Sequence, residues 1–179
     1  MLNRILVAID ESSSSEEAFG MALAMAKGMG SHLILVHVLD LLPNGTLKHP
    51  FGSFDNGSMV VDESAQDNYD QHWDKLTTHY DKLLKQKQAE AAEAGVTAIY
   101  VQPHGHPGPA ICAAASTHRA DLIVVGNRDR SNQQELILGS VSNYLVHHAP
   151  CSVTVIHPTA YSEPANREQY SEFASVGMA

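Results

Sequence analysis

Two polar stretches in this 179-residue sequence carry residue types that hold sugars and phosphates. The first, Asp10-Glu11-Ser12-Ser13-Ser14-Ser15, directly follows the apolar run Ile5-Leu6-Val7-Ala8-Ile9. A carboxylate there can accept hydrogen bonds from ribose hydroxyls or an adenine amino group, or ligate a metal. The same residues also read as the start of a helix, with a serine as N-cap and Glu16 or Glu17 completing a capping box. The two readings are compatible, since one serine can cap while Asp10 faces a crevice. The second stretch is Gly126-Asn127-Arg128-Asp129-Arg130-Ser131, followed by Gly139-Ser140-Val141-Ser142. A glycine straight after a buried strand permits a sharp turn and close approach of a ligand to the backbone. If Gly139 opens a helix, the amides of Gly139, Ser140 and Val141 are expected as unpaired donors at the positive end of a dipole. Ser140 and Ser142 would add hydroxyls to that phosphate cradle.

Other chemistries are poorly served. A P-loop needs Gly-Lys-Ser/Thr, which is absent, and GxGxxG is absent too. His104-Gly105-His106 and His147-His148 match no ligand frame, so no metal site is expected. No catalytic triad is legible; Ser140 has no base placed beside it by sequence, and a serine at a helix start is usually a cap. Cys112 and Cys151 follow no metal or redox spacing and read as small buried hydrophobes. Trp73 and the aromatic residues around it read as packing on a long helix.

The elements that must position these residues follow from the apolar pattern. Five runs are nearly continuous and rich in β-branched residues: 5–9, 33–38, 98–101, 122–125 and 153–156. Continuous runs suit strands covered on both faces, as in parallel sheets. Helices are expected between them over 14–30, 66–95, 109–118 and 138–148, with Gly28, Gly30 and Gly95 near C-terminal ends and Pro109 in a first turn. Alternating strands and helices give an α/β fold, an open doubly wound, Rossmann-like parallel sheet with helices on both faces. Residues 41–64 read as a long, turn-rich loop insertion and 159–179 as a polar C-terminal tail beyond a single domain over 1–158.

Hydrophobic residues at 44% and charged residues at 17% fit one globular domain with a core of its own. A net charge of −9 argues against a nucleic-acid or anionic-membrane footprint. No signal-peptide architecture or membrane-length apolar run is legible, so a cytoplasmic location is expected.

Taken together these residues resemble the universal stress protein family. Its pattern is Gly, two residues, Gly, nine residues, then Gly-Ser or Gly-Thr. Gly126 and Gly139-Ser140 fall at that spacing, while Asp129 stands in place of the second glycine. Ile5 to Asp10, Leu35-Val36-His37-Val38 and Leu138 through Val153 are similar to further parts of the family signature. The resemblance implies a five-stranded sheet of order 3-2-1-4-5 and a homodimer joined through the last strand, 151–157. It also implies ATP or AMP, with or without Mg²⁺, against Ala8, Asp10, Val38, Val125 and Gly126, and phosphates on Gly139, Ser140, Val141 and Ser142. Asp129 would repel phosphates, the flanking Arg128 and Arg130 would offset that repulsion, and a bridging metal or fewer phosphates would ease it. Three readings stay open. They are a nucleotide-binding stress or signalling switch, a slow Mg-dependent ATPase, and a nucleotide-free dimer acting through a protein partner.

Overall fold

The structure is a computed structural model that describes residues 2–40, 53–55, 58–60, 63–127 and 138–157. In chain order the elements are β1 (Arg4–Ala8), α1 (Ser13–Met29), β2 (His32–Val36), β3 (Ser53–Asp55), β4 (Ser58–Val60), α2 (Glu63–Glu93), β5 (Ala98–Val101), α3 (Pro107–Thr117), β6 (Leu122–Gly126), α4 (Ser140–His148) and β7 (Ser152–Ile156). Five of the strands form one sheet in the order β5-β2-β1-β6-β7, every neighbouring pair parallel. Numbered among themselves, these five run 3-2-1-4-5, as expected.

The continuous apolar runs have a direct cause. In the central strand β1, Ile5, Leu6 and Val7 are all fully buried, although they point to alternate faces. Ile5 and Val7 join Leu33, Leu35 and Val124 beneath Ala18, Phe19, Ala22 and Ala26 of α1 and Leu84 and Ala91 of α2. Leu6 joins Ile34, Val36 and Ile123 beneath Ile111 and Ala115 of α3 and Leu145 of α4. Each fully buried Leu, Ile or Val contributes roughly 1.5–3 kcal/mol relative to exposure. Two layers of helix therefore flank the sheet, and a polar residue inside β1 would face a core whichever side it took.

Helix α1 ends where Gly30 takes φ 68, and its amide reaches Ala26 O to close the last turn. The helices are bound to each other as well as to the sheet. Buried Lys87 of α2 donates to Glu16 of α1 at 2.7 Å and to Glu90 at 2.9 Å, with its ammonium 4.8 Å from the Phe19 ring centre. Burial alone would lower the Lys87 pKa; the two carboxylates outweigh it and hold the value above the usual lysine range.

Several expectations need correction. The segment 41–64, read as an irregular loop, holds the antiparallel pair β3–β4 and the first residues of α2. Asn56-Gly57 stands between the two short strands, the dipeptide that favours two-residue hairpins. Helix α3 starts at Pro107 rather than Pro109, because both prolines fit a first turn that needs no amide donors. Helix α4 starts at Ser140 rather than Leu138. Cys112 and Cys151 are free and only half-buried, against the core on the α3–α4 side; burial nonetheless raises both thiol pKa values. The tail 159–179 lies outside the described residues.

Candidate functional site

Because the five strands are parallel, their carboxyl ends share one edge, and the residues following each strand meet there. At the end of β1 the chain turns sharply. Asp10 Oδ1 accepts from the Ser12 amide at 2.7 Å and also from the Ser12 hydroxyl. Ser12 is the N-cap of α1, its Oγ accepting from Ser15 N at 3.2 Å. Ser15 Oγ in turn accepts from the Asp10 amide at 2.9 Å and lies 3.3 Å from Ala8 O. No glutamate completes a capping box: the third helical residue is Ser15, Asp10 takes the cap amide, and Glu16 is drawn to Lys87.

At the end of β6, Gly126 is required by packing. A Cβ there would lie 2.5 Å from the backbone C and O of Ser14. The room expected for a ligand at this glycine is thus filled in part by the first turn of α1. The next residue, Asn127, is buried (4% exposed). Its Oδ1 accepts from the Gly139 amide at 2.8 Å and from Ser142 Oγ at 3.4 Å. Its Nδ2 lies 3.3 Å from His157 Nδ1, and its amide donates to Ile156 O at 2.7 Å.

This corrects the expected cradle at two places. The Gly139 amide is taken by Asn127. The Ser142 hydroxyl is buried and turned back, donating to Gly139 O at 3.1 Å. What remains at the start of α4 is the amides of Ser140, Val141 and Ser142, which have no acceptor within the helix, and the exposed Ser140 side chain.

Beyond β2 the chain keeps pairing, with Leu39 N on Pro103 O at 2.9 Å and Gly105 N on Leu39 O at 3.0 Å. His37 is buried and lies in this extension. Its Nδ1 donates to Ile9 O at 2.7 Å, a carbonyl that can only accept. Tyr80 of α2 stacks on the imidazole with ring centres 3.5 Å apart and planes 14° from parallel.

These segments enclose a cavity of about 830 Å³. Ala8, Asp10, Val38, Val125 and Gly126 line it, and so do Gly139, Ser140, Val141 and Ser142. Arg128 and Asp129 lie outside the described residues. The apolar members join Ile111 and Leu76 on the walls; Asp10, Ser12 and the α4 start form a polar side. Asp40 and His106 also line it, and among the described lining residues there is no lysine or arginine. Among the described residues no three His, Cys, Asp or Glu side chains are grouped to hold a metal ion. Residue-type reasoning passed over Tyr80, His37 and Asn127. Tyr80 reads as packing on the long helix, His37 only as part of a strand, and Asn127 only as a member of the stretch after Gly126.

The sequence model of the universal stress protein family matches residues 1–157. The chain belongs to the universal stress protein family. Among its relatives, the universal stress protein YxiE of Bacillus subtilis is 32% identical over 156 residues, 87% of this chain and 99% of YxiE. The universal stress protein UspA from Lactobacillus plantarum superposes with a TM-score of 0.68 at 25% identity, over 87% of this chain and 97% of UspA. A family member from Arabidopsis thaliana, solved with AMP bound, shares the fold with a TM-score of 0.55 at 21% identity, over 92% and 97% of the two chains.

Proposed function

We propose that this universal stress protein holds an adenine nucleotide, ATP or AMP, in the carboxyl-edge cavity and works as a stress-response or signalling switch. The observation that carries the reading is that the Asp10–Ser12 turn and the α4 start line one cavity. The residues fit the three parts of such a ligand. Ala8, Val38, Val125 and Ile111 offer an apolar slot for a base, the Asp10 carboxylate suits ribose hydroxyls, and the Ser140 and Val141 amides suit a phosphate. AMP in the Arabidopsis relative adds to this support.

A second reading, a nucleotide-free homodimer acting through protein contacts, draws on two features. Asp10 and Asp40 put two carboxylates on the lining, where a phosphate would meet like charge. Strand β7 is an outer strand of the sheet, open to pairing with a second copy.

The deciding experiment is to denature freshly purified protein, identify any released nucleotide by mass spectrometry, and titrate the emptied protein with ATP and AMP by calorimetry. Adenine nucleotide near one per chain supports the switch; an empty protein that takes up neither ligand moves the reading to the dimer. Gly139→Asp sharpens the test. Gly139 has φ −57, which any residue adopts, and aspartate is a favourable N-cap. The variant should therefore fold at least as stably as the parent, while its carboxylate occupies the amides meant for phosphate. AMP affinity should fall by at least about tenfold, the scale of one charge-assisted hydrogen bond; unchanged affinity would place the phosphate elsewhere.

A further inference from the structure

Asn127 does not line the cavity, yet its side chain bonds two residues at the α4 start that do. A buried amide is costly unless its donors and acceptors are satisfied. Here Oδ1 serves Gly139 N and Ser142 Oγ, and Nδ2 serves His157. The orientation is fixed by chemistry, because the Gly139 amide can only donate and so must face the oxygen. Helix α4 has no cap of its own, since Gly139 occupies the N-cap without a side chain. Asn127, twelve residues earlier, accepts instead from the amide of Gly139 itself and so holds the cap residue from behind. That leaves the amides of Ser140, Val141 and Ser142 without an acceptor in the helix, in residues that line the cavity.

We propose that Asn127 is the positioning residue of the phosphate subsite, a neutral amide that anchors Gly139 and Ser142 so that the Ser140 and Val141 amides point at a phosphate. The inference rests on the nucleotide reading above. Neutrality is part of the role. Aspartate would keep an acceptor at 2.8 Å from Gly139 N but would set a negative charge behind a site meant for another.

The test compares the full chain with Asn127→Ala and Asn127→Asp, titrated with AMP and with adenosine in low and high salt. In Asn127→Ala the AMP affinity is expected to fall about tenfold, as expected for one lost oriented hydrogen-bond anchor, with adenosine changed far less. Asn127→Asp keeps the acceptor but gives up the donor to His157 and buries a charge, so it should melt below the parent, and it should lose AMP affinity at low salt and regain part of it at high salt. That salt response needs no adenosine signal, survives failure of the alanine variant to fold, and is not produced by a merely structural defect. Parental AMP affinity in a folded variant, an equal loss for adenosine and AMP, or an Asn127→Asp loss indifferent to salt would each overturn the assignment. A parent chain that binds neither AMP nor ATP would overturn the nucleotide reading itself, whereas a binding parent with indifferent variants overturns only the role of Asn127.

Discussion

At Gly126 an added methyl group would meet the backbone of Ser14, and no side-chain rotation relieves such a contact. Gly126→Ala must push α1 off the end of β6, at a cost of about 1–3 kcal/mol typical of overpacking. Chemical denaturation reads this directly; an unchanged midpoint would mean that the α1 start yields without cost. Asp121 acts at the other end of the same strand. Its Oδ2 accepts from the Asn3 amide at 2.8 Å and the Arg4 amide at 2.9 Å, and these bonds, Asn3 first, hold its pKa below the usual carboxylate range. A carboxylate with a lowered folded pKa contributes stability that is present above its unfolded value, about 3.9, and lost as pH falls through the folded one. Asp121→Asn should therefore melt below the parent at pH 7, and the gap should narrow as both are acidified below the unfolded value and through the lowered folded one. A gap that persists in acid would assign the loss to geometry instead of charge.

The elements were legible to different degrees, for physical reasons. The inner parallel strands stood out because burial on both faces leaves their middle residues apolar, as Ile5-Leu6-Val7 illustrates. The start of α1 was half legible. A serine cap was evident, but the partner of the cap amide is Asp10, two residues back, and the glutamate expected to serve it binds Lys87 across to α2. Ser12→Ala removes the cap oxygen that serves Ser15 N and should cost about 1 kcal/mol. A thermal melt measures it, and a neutral result would show that Asp10 alone fixes this turn. The hairpin β3–β4 was missed although its Asn-Gly signal was present in the sequence, because three-residue strands carry almost no periodicity. Asn127 was illegible for a different reason. Its partners, Gly139, Ser142 and His157, lie 12, 15 and 30 residues away, and nothing local specifies them.

For the molecule as a whole, the sheet leaves two outer strands, β5 and β7. Val153, Thr154, Val155 and Ile156 of β7 are all half-buried, the exposure of a strand that still has room for a neighbour. If two copies pair antiparallel about a twofold axis through β7, the central Thr154 of one faces its counterpart. Thr154→Lys then sets like charges opposite each other, which cross-strand pairing penalises. Sedimentation should report a shift from dimer to monomer; a dimer unmoved by the change would locate the contact elsewhere. The parallel sheet also separates two kinds of residue in space. Asp121 on the Asn3 and Arg4 amides, and Ser31 on Leu2 O at 2.6 Å, fasten the edge where strands begin. Asp10, Gly139 and Asn127 gather at the edge where strands finish. On the proposed reading, substitutions at the first rim register as melting temperature, and those at the second as affinity for the ligand as well. Descendants of such a chain can exchange one small molecule for another without having to solve again the problem of folding.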